Sequence, residues 1–395
     1  MPQISPEVLV WARMTAGLSV EEAAKKLGLS GPERLKAIET GERAPTRRQL
    51  VNMSGHYHRP LLTFYLPNPP RENAQGQDFR SLPEGHEPSS EAILRTLVRD
   101  VQARQQLVRA AMEEADEAEH LVFVNSARMS GGVDRLVRSI GETLGVTLEQ
   151  FRAEKSVTDA FSVLRAGAEK AGVFVLLMGN LGTHHTDIDV RIFRGFALAD
   201  DVAPFVVINE KDSRAAWSFT LLHELAHIWL GQTGISGYDG EADVERFCDS
   251  VAARFLLAPT ELEQIQISTR DITELKERVS AFAVERNLSR KMVAYNLLRS
   301  NAITRSIYAG LNEAFDNDRI SQKKDQDVSE GGPNYYTVRA HRIGPGLIGV
   351  VRRMVAARAL STTKAAKVLG VKPTAVDRLI GARRAALGDS RDLSP

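Results

Sequence analysis

The chain has 395 residues, of which 43% are hydrophobic and 26% charged, enough for a sizeable packed core and more than one domain, so global disorder is excluded. Its single cysteine, Cys248, rules out an intrachain disulfide, and no apolar run approaches the roughly 18–20 residues of a membrane span. The expectation is a cytoplasmic protein with no membrane partner. The net charge of +1 conceals an asymmetry: residues 1–66 carry nine Lys/Arg against six Asp/Glu, and residues 333–395 carry twelve against three. Basic ends on an acidic body point either to a polyanion such as nucleic acid meeting the ends or to basic tails that simply keep the protein soluble.

Residues 1–66 read as an all-α unit. Ser5-Pro6 supplies a cap and a first-turn proline for a helix with Val8, Leu9 and Ala12 as apolar positions. Ser19 and Glu22 form a capping box for a second helix with Ala23, Ala24 and Leu27 on one face, ended by Gly28. A third helix from about Pro32 to Thr40 carries Leu35 and Ile38, and Thr46 caps a fourth with Leu50, Val51 and Met53. Pro60, Pro67, Pro69 and Pro70 lead through a polar linker, residues 67–90, into a long charged helix over 91–119. A further helix precedes three strand-like runs, Val173–Met178, Val190–Leu198 and Pro204–Asn209, after which helices dominate to Asn312. Residues 313–334 read as a polar, disordered linker and residues 335–395 as a basic helical region. The fold class is α+β: an all-α head, a central domain over 91–312 with a small sheet, and a helical C-terminal region.

The run Leu221-Leu-His223-Glu224-Leu-Ala-His227-Ile-Trp229 lies in a strongly apolar helix directly after the third strand. At about 3.6 residues per turn, His223 and His227 project from one face, and both imidazoles can reach one ion. Glu224 lies about 100° round that face, placed to act on a metal-bound water without being a ligand, which is the logic of the HExxH peptidase motif. A catalytic zinc site needs a third protein ligand and an open position for water. Glu241, Asp243, Glu245 and Asp249 fall in one acidic segment downstream, and Glu245 is the chosen ligand. Asp249 follows it at i+4, where a carboxylate can accept the other N–H of a ligating histidine and fix its tautomer. Glu241 and Asp243 read as a solvated face and Cys248 as core.

Phe193–Leu198, Ala203–Asn209, Phe219–Gly231 and Glu245–Leu257 together resemble the ImmA/IrrE family of zinc metallopeptidases, with the likeness extending over roughly residues 90–310. The resemblance implies Zn2+ held by His223, His227 and Glu245, Glu224 as general base, a thermolysin-like minimal zincin fold, and cleavage of transcriptional repressors. Two departures stand out: Asp249 occupies a position where the family usually has asparagine, and Leu256-Leu-Ala-Pro259 carries one residue more than the pattern before its proline. The strand Ile192–Leu198 is the candidate edge for an extended substrate. Tyr238, His184 and His185 are candidate oxyanion-stabilising groups.

Leu18–Gly28 and Leu35–Thr46 resemble an Xre-type helix-turn-helix of the phage-repressor class. The third helix would enter the major groove, with Arg34 and Lys36 facing base edges or phosphates and Arg43, Arg47 and Arg48 holding the backbone. Leu360–Ile380 repeats the capped helix, glycine turn and second helix, either as a second DNA-binding motif or as a basic hairpin packed on the body or on a partner. The implied partners are double-stranded DNA, a repressor-like protein substrate, a toxin, and a second copy of the chain in a homodimer. The competing class is a non-proteolytic regulator or antitoxin-like protein with a structural metal.

Overall fold

The computed structural model describes residues 4–70, 88–182, 186–235, 242–265, 267, 271–326 and 334–381. By internal contacts the chain divides into two units, one of residues 1–102 with 180–193 and one of residues 103–179 with 194–395.

The first unit opens with α1 (Pro6–Met14), α2 (Val20–Lys26), α3 (Pro32–Glu39) and α4 (Arg47–His56). Capping boxes start α2 and α4: the Ser19 and Thr46 hydroxyls accept from the backbone N–H groups of Glu22 and Gln49, whose side chains accept in return. Gly28 takes φ +66° to turn the chain out of α2, a conformation that side-chain-bearing residues rarely adopt. The small Ala23 and Ala24 let α2 approach α3, and both are buried with Leu9, Leu35, Ile38, Leu50 and Met53 in one core.

Helix α5 (Pro88–Glu114) counts with the first unit as far as Gln102 and with the second from Ala103, so the division falls inside a helix and not in the linker expected at 67–90. The second unit continues with α6 (Val133–Leu144), α7 (Leu148–Ala153) and α8 (Val157–Lys170), then β1 (Phe174–Leu177), β2 (Gly195–Leu198) and β3 (Phe205–Ile208). Helix α9 (Arg214–Trp229) follows, then β4 (Gly234–Ile235) and α10 (Ala242–Leu256). The sheet order is β1-β3-β2-β4, with β1 parallel to β3 and the other pairs antiparallel. All four residues of each of β1, β2 and β3 are buried, which is why these strands read as continuous apolar runs without alternation. Helix α9 packs on β2 and β3 and against α8 and α10.

Helices α11 (Ile272–Glu285), α12 (Arg290–Arg299) and α13 (Arg305–Gln326) share the same core through Leu275, Val279, Val293, Leu297, Leu311 and Phe315. The C-terminal part holds α14 (Tyr335–Ile343), α15 (Pro345–Ala356), α16 (Thr362–Leu369) and α17 (Val376–Gly381).

Two expectations need correction. The run Ile192–Leu198 is not an edge strand: only Gly195–Leu198 is extended, and β4 pairs on its outer side at Phe196 and Ala197. The polar stretch from residue 313 is not a disordered linker as far as Gln326. Helix α13 holds it because Phe315 is buried, and Asp316 and Asp318 accept from Lys291, Lys276 and Arg290 on the two preceding helices at 2.6–2.8 Å. The C-terminal helices pack on the second unit's sheet and helices, α14 and α15 on β1 and α15 on α8. A buried arginine ties them: Arg165 donates to the carbonyls of Val175 and His341 at 2.5 and 2.6 Å and to Glu169 at 3.0 Å, and Glu169 accepts from the Gly346 N–H at 2.6 Å. Residues 327–333 and 382–395 lie outside the described residues.

Candidate metal centre

Helix α9 is apolar nearly all round, and Trp217, Leu221, Leu222, Leu225, Ile228 and Trp229 are buried in the core. Burying a polar group in such a helix costs free energy unless it is partnered. His223, Glu224 and His227 are nevertheless 5%, 0% and 8% exposed. The next helix supplies partners: one turn of α10 carries Glu245 and, at i+4, Asp249.

The geometry is compact. The two histidine Nε2 atoms lie 3.1 Å apart. Glu245 Oε1 is 3.2 Å from Nε2 of His227, and Oε2 is 3.4 Å from Nε2 of His223. One ligand atom from each of His223, His227 and Glu245 falls within 4.8 Å of the others, the one such cluster among the described residues. Each histidine is also oriented from behind: His223 Nδ1 lies 3.0 Å from Asp249 Oδ1, and His227 Nδ1 3.2 Å from Gln232 Oε1. Both outer nitrogens thus face oxygen acceptors, which in the neutral rings fixes the tautomer that leaves Nε2 with its lone pair toward the cluster. A nitrogen–nitrogen–carboxylate donor set with an open side suits a divalent metal of the zinc class.

Glu224 stands outside the donor cluster, fully buried, and the β2 backbone comes close against it. A Cβ added at Gly195 would lie 2.6 Å from the Thr220 methyl and 2.7 Å from Glu224 Oε1. A cleft of about 370 Å³ is lined by Phe219, His223, Glu224 and Glu245, together with Lys291, Met292, Tyr295 and Tyr308 from α12 and α13. Arg194 also lines it.

Burial pulls the His223 imidazole down, but its hydrogen bonds to Asp249 and Glu245 and the charge of Glu224 outweigh this, raising it from 6.5 to about 10. Burial pushes Glu245 up, but the hydrogen bonds and charges of His223 and His227 outweigh it and lower the carboxyl from 4.5 to about 2. In the metal-free protein, stability from His223 is therefore full below pH 6.5 and lost as pH rises through about 10. Stability from Glu245 is full above pH 4.5 and lost as pH falls through about 2. A metal must displace the His223 proton, so its affinity is expected to rise about tenfold per pH unit between roughly pH 7 and 9. Competition against a chromophoric chelator of known pH dependence measures this, and a flat affinity would contradict the arrangement.

Several of the other sequence-derived positions are also placed. Asp243 is exposed and pairs with Arg246, and Cys248 is fully buried in the core. Glu241, Tyr238, His184 and His185 lie outside the described residues. In the first unit Arg34 and Arg48 line one cleft with Lys26, Ser30 and Asn52; Lys36 pairs with Glu33 at 2.9 Å, and Arg43 and Arg47 are exposed. Sequence reasoning missed Gly195, Gln232 and the lining from α12 and α13. A glycine inside the strand-like run was the available signal for the first, because such a residue often marks close backbone approach.

A buried pair of histidines and a carboxylate, with a further carboxylate beside an open cleft, fits a metal-dependent hydrolase. Residues 168–298 match the peptidase M78 family model, described as the IrrE N-terminal-like domain, and the match takes in α9, α10 and most of α12. This part of the chain is an ImmA/IrrE-family peptidase domain. No curated protein and no solved structure gives a significant match to the chain. No described helix is long and apolar enough to cross a membrane.

Proposed function

We propose that the chain is a zinc-dependent metalloendopeptidase with a DNA-binding head, which regulates transcription by cleaving a repressor-like protein. The observation that carries the reading is the convergence of His223, His227 and Glu245 at one point, with Glu224 next to His223 in the lining of an open cleft.

When bound there, zinc would lower the pKa of a water and polarise a peptide carbonyl. The chain's own groups do the rest. Glu224 takes the proton of the attacking water on its carboxylate and returns it to the leaving amine. Asp249 and Gln232 keep the imidazoles in the orientation that presents Nε2. Phe219, Met292, Tyr295 and Tyr308 give the cleft an apolar and aromatic lining suited to an unfolded or extended segment of protein. For the head, the support is the pair of helices α2 and α3 joined at Gly28, with exposed Arg34, Arg43, Arg47 and Arg48 able to reach the phosphate backbone.

The test is a comparison of newly formed protein N-termini in cells carrying the wild-type chain and in cells carrying the His223→Ala variant. A repressor cleaved only by the wild type, and cleaved in vitro by the zinc-loaded protein but not after EDTA treatment, is the expected result. Absence of any metal-dependent cleavage would refute the peptidase reading.

A further inference from the structure

The helix pair at the start of the chain occurs a second time near its end. Ser19 through Leu29 and Ser361 through Val371 share Ser at the first position, the Ala-Ala-Lys triplet (Ala23–Lys25 and Ala365–Lys367), and Leu-Gly at the end (Leu27-Gly28 and Leu369-Gly370). A proline then opens the next helical segment in each, Pro32 and Pro373, with one residue fewer in the second copy. The likeness is structural as well. Ser361 caps α16 through the Lys364 N–H as Ser19 caps α2 through that of Glu22, and Gly370 takes φ +61° where Gly28 takes +66°. Ala365, Ala366 and Leu369 are buried as Ala23, Ala24 and Leu27 are, and Val376 and Leu379 fill the places of Leu35 and Ile38. Helix α15 packs on both α16 and α17 and closes a three-helix bundle, attached to its own unit by α14 and α15.

The second copy is the more basic. At the positions of Glu21, Glu22 and Glu33 it carries Thr363, Lys364 and Thr374, and Asp377 is its one acid among residues 334–381, against nine Lys/Arg. Lys364, Lys372 and Arg378 are exposed on α16, the turn and α17. A polar face made only for solubility has no need of the same cap, the same left-handed glycine and the same small-residue contact. We infer that α16 and α17, with the turn between them, form a second helix-turn-helix that binds duplex DNA, so that the chain carries one DNA-binding motif in each of its two units. The inference rests on the DNA-binding reading of the head, because the second copy is identified by its likeness to the first.

The experiment measures binding of the full chain to a random-sequence 30-base-pair duplex by fluorescence anisotropy, across a series of salt concentrations. Four proteins are compared: wild type, a head variant (Arg34→Ala with Arg48→Ala), a tail variant (Lys364→Glu with Lys372→Glu), and the combination. The Lys364→Glu change places beside Ser361 the same carboxylate that Glu22 offers Ser19 in its capping box, so the tail variant should keep its fold. A Lys364→Gln, Lys372→Gln pair serves instead if its melting curve shifts. The tail substitutions are expected to weaken binding about tenfold or more and to flatten the slope of log affinity against log salt by about two, in both the wild-type and head-variant backgrounds. Unchanged affinity and slope in both backgrounds would overturn the inference. Loss on the tail substitutions alone, with the head variant binding like wild type, would sustain it and count against the head; the reverse pattern would do the opposite.

Discussion

Glu224→Gln is expected to lower the turnover number for protein cleavage by about 10²–10⁴-fold while leaving one metal ion per chain. Glu224 follows a ligand candidate directly, yet it stands outside the cluster formed by His223, His227 and Glu245. It is fully buried and sits among the groups lining the cleft. Gln has nearly the same shape and keeps the packing against β2, but its amide cannot take a proton. Metal affinity should hold because the donor atoms are unchanged, and KM should change little because the apolar lining is untouched. Replacing a buried carboxylate by a neutral amide removes a desolvation cost, so the melting temperature is expected to stay level or rise. The measurements are metal content by mass spectrometry and cleavage kinetics on the same preparation. Wild-type turnover in this variant would remove Glu224 from the proton-transfer role. Loss of metal together with activity would show that it supports the donor set instead.

How much of this site could be read from the sequence depended on how local its parts are. His223 and His227 sit at i and i+4 of one helix, and Glu245 and Asp249 at i and i+4 of the next, so helical spacing alone aligns each pair. The structure brings the two pairs together across the α9–α10 packing. The caps and glycine turns of the first unit were legible for the same reason, because each is a contact over three or four residues. Groups brought in from afar were not. Lys291, Met292, Tyr295 and Tyr308 reach the cleft from helices whose sequences carry only an ordinary apolar stripe. The two-residue strand Gly234–Ile235 is too short to show a period, yet it changes β2 from an edge to an inner strand. Residues 316–326 look unstructured by composition because the cations that hold Asp316 and Asp318 lie 25 to 42 positions away.

Gly195→Ala is expected to cut kcat/KM by about 10²-fold, the cost of displacing a catalytic group by an ångström or so. Nothing in its own backbone angles demands glycine, since its φ is not in the left-handed region; what demands it is space. The new methyl would stand 2.6 Å from the Thr220 methyl and 2.7 Å from Glu224 Oε1, inside van der Waals contact with both. Helix α9 and β2 cannot simply separate, because β2 is paired on both sides, at Ile208 through Phe205 of β3 and at Gly234 and Ile235 of β4. The side chain that yields must then be the carboxylate, and with it the position from which a proton is moved. Overpacking of this kind costs about 1–3 kcal/mol, so the fold should survive with a lowered melting temperature. The three atoms nearest the added one belong to Thr220 and Glu224 and to none of His223, His227 and Glu245, so metal content should remain one per chain. A double variant, Gly195→Ala with Thr220→Ser, would relieve the methyl clash but not the carboxylate clash. It should therefore recover stability and little of the activity. Full recovery of cleavage in the double variant would show that Gly195 serves the packing of α9 on the sheet, and not the placement of Glu224.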